Sequence, residues 1–291
     1  MIITRLIGGL GNQMFQYAAG RRLAHSLDTD LKIDTSDFTS SKTRNYALDC
    51  FNIQTTLSTP FDLKRVAKGN VSRLEKIKRL IDHNWQQNCI SYNKEKHFHF
   101  DPDILSLSND SYLDGYWQSE KYFLDIGDII RKEFTISNTP STANQTIAAN
   151  IQHHHSVAIH IRRGDYITDS VSSQLHDTYN IEYYKKAIEI ILEKVSEAHF
   201  YVFSDDPDWV KNNFILDNPT TYVSHNNDSC HEDMKLISLC KHQIIANSSF
   251  SWWGAWLNKN PDKIVIAPTH WFRVNDYNTS DLIPASWIRS E

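Results

Sequence analysis

The sequence has few cysteines and no long run of apolar residues, and both shortages exclude classes of protein. Its 291 residues include only four cysteines, none of them in a C-x-x-C pair. This is too sparse for the disulfide framework of a small secreted domain, so free thiols are expected. No apolar run approaches the ~20 residues that span a bilayer, and the N-terminus lacks a signal-peptide pattern. The expected location is therefore cytoplasmic.

A basic excess is also missing. The formal net charge is −5, and without a long basic tract this argues against a nucleic-acid partner. One stretch, residues 64–79, is locally rich in lysine and arginine interleaved with apolar residues. It is interpreted either as a solvated helix face or as a peripheral contact with the inner face of an anionic cytoplasmic membrane.

Apolar strands alternate with helix-like segments along the chain and predict an α/β fold with mostly parallel sheets. Predicted strands are 2–7, 31–34, 111–113, 157–161, 199–203, 243–246 and 264–267, and predicted helices are 13–27, 62–81, 120–134, 181–195, 231–240 and 252–257. Residues 136–155 begin with a turn-rich stretch that suits a connection between domains. We therefore predict two domains, residues 1–150 and 151–291.

Three strand-to-turn segments carry ligand-type chemistry. After the first strand, Gly9-Leu10-Gly11 continues into Asn12 and Gln13, without the third glycine of a dinucleotide fingerprint or the end of a P-loop. Neither nicotinamide nor ATP binding is supported.

The second segment, Val157–Ile161, alternates as a strand and delivers His160 and Arg162 on one face, with Asp165 just beyond. A guanidinium at a strand end suits a diphosphate. The third, Asn247–Ser251, follows an apolar run and offers hydroxyl groups and backbone N–H groups to a phosphate. Taken alone, this segment favours an ordinary strand-to-helix connection over a ligand loop, because serines commonly cap helices.

Ligands of open parallel sheets bind beyond the carboxyl ends of the strands. Arg162, Asp205 and Ser248 all fall at predicted strand ends. The pattern alone therefore predicts a nucleotide site in the second domain.

Four segments, in this order across nearly the whole chain, resemble the family 11 glycosyltransferases, the α1,2-fucosyltransferases that use GDP-fucose. They are Gly8–Tyr17, His160–Tyr166, Phe203–Asp206 and Asn247–Trp253, and Asp114–Phe123 also resembles this family. The resemblance implies a glycosyltransferase B architecture, in which two nucleotide-fold domains face each other across a cleft. The first domain would be mainly the acceptor side and the second would bind GDP-fucose.

The resemblance also implies roles for residues. Arg162 would contact the donor diphosphate with support from Arg163, His160 would lie near the guanine or ribose, and Asp205 would accept hydrogen bonds from the guanine edge. Asn12 would lie close to the glycosidic oxygen. The complete predicted donor set is Gly11, Asn12, Gln13, His160, Arg162, Ser204, Asp205, Asn247, Ser248, Ser249, Phe250 and Ser251.

The predicted catalytic residues are Arg162, Asn12 and Asp165. A fixed Arg162 stabilises the charge that develops on the leaving phosphate. Asp165 is the first candidate for a base that accepts the acceptor proton. Two alternatives stay open: Asp165 anchors its own loop or orients Arg162, or late proton loss makes a strong base unnecessary.

Two D-x-D patterns, Asp101-Pro102-Asp103 and Asp206-Pro207-Asp208, and the run His153–His155 are candidate metal ligands. Aspartate followed by proline is typical of a helix start, and adjacent residues of an extended chain do not face one ion. We predict that neither a metal nor another cofactor is required.

Acceptor binding is assigned to residues that stack on sugar faces or pair with hydroxyl groups: Tyr116, Trp117, Gln118 and Trp252. Packing of the aromatic members in the core is the alternative.

The predicted function is inverting transfer of L-fucose from GDP-fucose to O2 of a galactose unit. The acceptor would be a galactose-terminated oligosaccharide or lipid-linked glycan in bacterial surface-polysaccharide (O-antigen) synthesis. Alternatives are fucosyl transfer with α1,3 or α1,6 linkage, or a catalytically silent nucleotide- or glycan-binding protein on the same fold. The linkage of the product distinguishes among the fucosyltransferases, and the presence of turnover distinguishes an enzyme from a catalytically silent binding protein.

Overall fold

A computed structural model describes residues 1–40, 44–67, 90–164, 181–226, 229–273 and 277–291. Internal contacts divide the chain into two compact units, Met1–Thr135 and Ile136–Glu291. The division falls before the predicted boundary near residue 150. The difference arises because the predicted connection, residues 136–155, is mostly helical. Residues Thr142–His153 form a helix that is capped by Ser141 and belongs to the second unit.

The first unit contains a six-stranded parallel sheet in its described part. The strands are β1 (Ile2–Arg5), β2 (Leu31–Asp34), β3 (Thr56–Leu57), β4 (Val66–Ala67), β5 (Ile90–Lys94) and β6 (Ser111–Asp114). Their order across the sheet is β3-β2-β1-β6-β5-β4, and every pair is parallel. The two central strands are therefore β1 and β6.

Four α-helices of this unit are described: α1 (Leu10–Ser26), α2 (Ser36–Ser40), α3 (Pro60–Lys64) and α4 (Gly127–Glu133). The predicted helix 120–134 is divided, since two 3₁₀ turns, Glu120–Tyr122 and Leu124–Ile126, precede α4. The predicted helix 62–81 is wrong in its described part, because α3 ends at Lys64 and Val66–Ala67 form β4. Residues 68–81 lie outside the described residues. Helix α1 buries Met14, Phe15 and Tyr17 completely, which fixes the glycine-rich turn that precedes it.

The second unit repeats the architecture. Its elements are α5 (Thr142–His153), β7 (His155–Ile161), α6 (Ile181–Leu192), β8 (Ala198–Ser204), α7 (Pro207–Asn213), β9 (Thr220–Val223), α8 (Cys230–Leu239), β10 (His242–Ile244), α9 (Ser249–Leu257), β11 (Val265–Pro268) and β12 (Ile288–Ser290). The sheet order is β12-β11-β10-β7-β8-β9, again parallel throughout.

This order is that of a doubly wound nucleotide-binding fold, because the unit's first strand, β7, lies between its second and its fourth. The chain leaves β7 and β10 in opposite directions and opens a crevice at their carboxyl ends. Strand β7 is buried on both faces: Val157, Ile159 and Ile161 pack towards α6, and Ala158 packs with Ile151 and other residues on the opposite face. The residues that follow β7 are thus held by a rigid core.

Within the described ranges, every helix is too short or too polar to cross a bilayer.

Candidate functional site

An ion pair lies at the carboxyl ends of β7 and β8. These strands pair in register up to Ile161 and Ser204, so the next residues, Arg162 and Asp205, leave the sheet side by side. Arg162 Nη1 lies 3.0 Å from Asp205 Oδ2. Asp205 also accepts hydrogen bonds from the backbone N–H groups of Arg163 (2.8 Å) and Gly164 (3.0 Å). One carboxylate therefore holds the loop after β7 and orients the Arg162 guanidinium.

Arg163 points to a different partner. Its Nε lies 3.3 Å from Asp206 Oδ2, and its guanidinium carbon lies 3.4 Å from the centre of the Trp209 ring. Asp206 accepts a hydrogen bond from Trp209 N and is the N-cap of α7, with Pro207 in the first turn. The predicted helix start at Asp206 is confirmed, and Arg163 contacts both the capping carboxylate and the Trp209 ring in the first turn of α7.

His160 lies beneath this loop with its side chain buried. Its ring centre is 5.2 Å from that of Phe250, and its backbone carbonyl accepts a hydrogen bond from the Tyr184 hydroxyl. Burial lowers the pKa of His160, and Arg162 lowers it further while Asp205 opposes them, so the imidazole is neutral at physiological pH. Its Nδ1 has no hydrogen-bond partner among the described residues. A ligand or water at this position would satisfy it.

The loop after β10 lies next to β7, because Ile244 pairs with Ile159. Asn247 Nδ2 donates to the Trp271 carbonyl (3.2 Å), and Ser251 Oγ donates to the Ser248 carbonyl (3.2 Å). These two side chains hold the loop in shape. A phosphate at the start of α9 would meet backbone N–H groups and the positive end of the helix dipole.

Four of the predicted donor residues in the second unit remain to be placed. Ser204 Oγ accepts a hydrogen bond from Asp206 N, which fixes the turn after β8. Ser249 and Phe250 begin α9, and Ser248 precedes them in an extended conformation. The predicted donor residues of the second unit thus all lie at or just beyond the carboxyl ends of β7, β8 and β10, and β7 lies between the other two strands.

The glycine-rich loop of the first unit is held by its own amides. Gln13 Nε2 donates to the carbonyls of Gly8 (3.0 Å) and Asn45 (2.9 Å), and Gln13 Oε1 accepts from Ala47 N. The Gln13 side chain therefore shapes the loop. Gly11 is buried in the first turn of α1. Asn12 Oδ1 accepts a hydrogen bond of 2.8 Å from Gln118 Nε2, a contact that joins two of the predicted motifs.

The predicted acceptor residues divide by exposure. Tyr116 is 38% exposed, whereas Trp117 and Trp252 are completely buried. Trp252 donates from Nε1 to the Leu282 carbonyl (2.8 Å) and stacks on Trp256. Its assignment to sugar stacking is therefore corrected: both the ring and its N–H group are used inside the core of the second unit.

A polar cavity of about 260 Å³ lies at the carboxyl ends of β1, β2 and β6, and no sequence motif predicted it. It is lined by Arg5, Asp34, Ser36, Asp37, Tyr92, Tyr112 and Asp114. Arg5 bonds both oxygens of Asp37 (2.6 and 2.7 Å) and Asp114 Oδ1 (2.9 Å). The only available signal was position, since Arg5, Asp34 and Asp114 each end a strand.

Within the described ranges, no cluster of histidine, cysteine or carboxylate residues is arranged to hold a metal ion. Asp101 accepts from Asp103 N as a 3₁₀-helix N-cap, as its sequence pattern predicted. His154 Nδ1 bonds the Tyr201 hydroxyl, and its ring stacks on His199. The candidate base Asp165 lies outside the described residues.

Two α/β units, each with a parallel sheet and with ligand-type loops at its strand ends, have the fold of the B-type glycosyltransferases. The fold is shared with solved fucosyltransferases. POFUT1 in complex with GDP aligns with a TM-score of 0.51 at 12% identity, over 91% of this chain and 97% of that one. An Arabidopsis thaliana FUT1 mutant in complex with GDP aligns with a TM-score of 0.52 at 12% identity, over 91% of this chain and 69% of that one.

The chain belongs to glycosyl transferase family 11, whose model matches residues 1–290. It is 33% identical to an Escherichia coli alpha-1,2-colitosyltransferase, over 100% of this chain and 99% of the relative. It is 35% identical to the Escherichia coli O-antigen biosynthesis glycosyltransferase WbnK, over 97% and 98% respectively. Mouse galactoside alpha-(1,2)-fucosyltransferase 1 is 24% identical over 86% of this chain and 61% of its own length. The protein is a glycosyltransferase.

Proposed function

We propose that this protein transfers an L-fucose-type deoxyhexose from its GDP-sugar to O2 of a galactose unit, with inversion at the anomeric carbon. The observation that carries the proposal is the Arg162–Asp205 pair at the crevice between β7 and β10, in a chain of family 11. A guanidinium fixed there suits a nucleoside diphosphate.

The reaction breaks the bond between the anomeric carbon and the phosphate oxygen while the acceptor oxygen forms a new one. Negative charge grows on the leaving phosphate and positive character grows on the sugar carbon. Arg162 is already oriented by Asp205, so it stabilises the phosphate charge without reorganising during the reaction. Asn12 would act at the glycosidic oxygen, and Asp165 remains the proposed base.

Two donors fit this chemistry. Sequence motifs favoured GDP-fucose, whereas one relative at 33% identity is named a colitosyltransferase. Colitose is L-fucose without its 3-hydroxyl group. A site that hydrogen-bonds that hydroxyl rejects the deoxy sugar by about 10⁴-fold, whereas a site without a partner for it discriminates weakly. The donor ratio is therefore a direct measurement of one contact.

We place the acceptor at the polar cavity of the first unit. Its lining carries three carboxylates against one arginine, and carboxylates accept hydrogen bonds from sugar hydroxyl groups while repelling phosphates. A relative at 35% identity is named for O-antigen biosynthesis, and we propose the same setting for this chain, at or near the cytoplasmic face of the membrane.

The test is to supply GDP-fucose or GDP-colitose together with a panel of β-galactosides, with EDTA present throughout. Released GDP is measured and the product linkage is determined by NMR. An α1,2-linked product under chelation supports the reaction and its independence of metal. A product of another linkage refutes the O2 assignment, and folded protein that neither binds GDP nor turns over refutes the function.

Arg162→Lys is the matched variant for this assay. Lysine keeps the charge but loses the fork that meets both Asp205 and a diphosphate, so turnover should fall by about 10²-fold or more. Arg289→Lys is the control, because Arg289 lies on β12 and donates to the Ser280 carbonyl. Equal activity of the two variants would contradict the role of Arg162.

A further inference from the structure

A carboxylate outside all the sequence motifs holds the turn that follows β6. Glu95 directly follows β5, and Glu95 N donates to the Asp114 carbonyl at the end of β6. Its side chain then accepts hydrogen bonds from the backbone N–H groups of Tyr116 (2.8 Å) and Trp117 (3.0 Å). Two successive N–H groups thus converge on one carboxylate.

The turn is conformationally unfavourable without such a contact. Trp117 has φ of 54°, a left-handed backbone that a large side chain rarely adopts and that persists only where its surroundings impose it. Its ring is fully buried, and Ser119 N donates to its carbonyl (2.8 Å). Glu95 supplies the side-chain contact at the entry to this turn.

Gly115 makes the approach of Glu95 feasible. A Cβ atom at Gly115 would lie 2.4 Å from Glu95 Cβ and 2.9 Å from Trp117 Cε2. Any larger residue would push Glu95 away from the two N–H groups. The glycine therefore serves close packing, since its own φ is not in the left-handed region.

The strained turn leads directly to Asn12. Gln118 follows Trp117, is 7% exposed, and donates from Nε2 to Asn12 Oδ1 at 2.8 Å. On the opposite side, a Cβ atom at Gly8 would lie 2.6 Å from Asn12 Nδ2. The Asn12 amide is thus placed between a specific donor and a glycine that leaves it room.

We propose that Glu95 is a positioning residue for glycosyl transfer, because it holds the Tyr116–Trp117 turn that presents Gln118 to Asn12. The inference rests on the proposed function for the role of Asn12. Burial raises the pKa of Glu95, and its two backbone N–H bonds oppose that change. These N–H groups stabilise the ionised form that the turn uses.

The experiment compares Glu95→Gln and Glu95→Asp with the wild-type chain. In Glu95→Gln an amide NH₂ group replaces one of the two accepting oxygens and faces a backbone N–H group. Asp62→Asn is the control. Asp62 is a buried carboxylate of α3 in the same unit, and it accepts hydrogen bonds from Lys32 on β2 and from Thr59, the N-cap of α3. Turnover, donor KM, thermal midpoint and the side-chain ¹H–¹⁵N amide signals of Asn12 and Gln118 are measured for each.

We expect Glu95→Gln to lower kcat by about tenfold or more, as misplacement of a reacting group does, with a smaller change in donor KM. Glu95→Asp, which keeps both oxygens on a shorter arm, should recover part of the loss. The Asn12 and Gln118 amide signals should shift in Glu95→Gln. Asp62→Asn should lower the thermal midpoint and leave kcat and both signals in place.

Unchanged Asn12 and Gln118 signals in Glu95→Gln would overturn the inference, as would wild-type kcat in that variant. If the wild-type protein transfers neither sugar, the proposed function fails, and the amide signals alone then decide whether Glu95 positions Asn12.

Discussion

Gly164→Ala is the most direct test of the loop that orients Arg162. A Cβ atom at Gly164 would lie 2.6 Å from Asp205 Oδ2 and 3.1 Å from Asp205 Cγ. Real side chains do not approach this closely, so the carboxylate must move. The same Oδ2 accepts from Gly164 N and pairs with Arg162 Nη1, both at 3.0 Å.

The size of the effect follows from these contacts. Moving Asp205 weakens two charge-assisted bonds, each worth about 1.5–3 kcal/mol, and releases the guanidinium from its fixed direction. Removing a preorganised charge stabiliser costs about 10²–10³ in kcat. Arg162 is displaced here and not removed, so we expect a loss of about 10–10².

The assay is turnover of the GDP-sugar together with the thermal midpoint, and Gly254→Ala is the control. A Cβ atom at Gly254 would also meet a neighbour at 2.6 Å, but that neighbour is the apolar Cγ2 atom of Ile237 in α8. The control should lose stability and keep most of its turnover per folded molecule. If Gly164→Ala retains wild-type turnover, or if the control loses as much, Asp205 does not orient Arg162 for the reaction.

Three further predictions concern buried groups. Burial raises the pKa of Asp233 to about 6, so between about pH 4 and pH 6 this carboxyl is protonated in the folded state and ionised in the unfolded state. The free energy of unfolding therefore falls as pH rises through that range. Asp233→Asn should abolish this fall and raise the thermal midpoint at pH 7. Burial alone would raise the pKa of Asp62, but hydrogen bonds from Lys32 and Thr59 lower it to about 2. The stability that ionised Asp62 contributes is therefore present above pH 4 and is lost as pH falls towards 2. Asp62→Asn should remove this pH dependence of the thermal midpoint over that acid range. Trp252→Phe removes the N–H bond to Leu282 and should cost about 1–3 kcal/mol of stability while the acceptor KM is unchanged; a large rise in KM would restore Trp252 as an acceptor residue.

Elements with strong apolar patterns were predictable from the sequence. The strand Leu31–Asp34 was predicted with its observed bounds, and the strand Val157–Ile161 was short by two residues. β5 was missed because its sequence, Ile-Ser-Tyr-Asn-Lys, offers only two strand-favouring residues, Ile90 and Tyr92, which is too short a pattern to distinguish a strand from a loop. The helix Thr142–His153 was taken as a connection because it is rich in small and polar residues and places few apolar ones on its buried face.

The three ligand-type loops were predictable because each spans no more than about ten consecutive residues and follows a recognisable strand. Contacts between distant segments were not. Glu95 meets Tyr116 and Trp117 across more than twenty residues, and Arg5 meets Asp114 across 109. Such pairs depend on which strands become neighbours in the sheet, which apolar periodicity does not specify. The same limit explains Trp252, whose indole partner lies 30 residues away.

Unsatisfied buried groups point to the same ends of the two sheets without any reference to sequence motifs. Among the described residues, three buried side-chain atoms lack a hydrogen-bond partner: Gln16 Nε2, Trp117 Nε1 and His160 Nδ1. Each is connected to a ligand-type loop: Gln16 accepts from Ile7 N just before the glycine-rich turn, Trp117 precedes the residue that bonds Asn12, and His160 precedes Arg162. A buried unpaired polar group costs about 1–3 kcal/mol, and such costs are concentrated where strain serves function. In the remaining described core such atoms are paired: Asn258 Nδ2 donates to Gln243 Oε1 and to the Cys240 carbonyl, and Gln243 Nε2 also donates to the Cys240 carbonyl. Among the described residues, the unpaired buried atoms are therefore confined to segments beside the ligand-type loops.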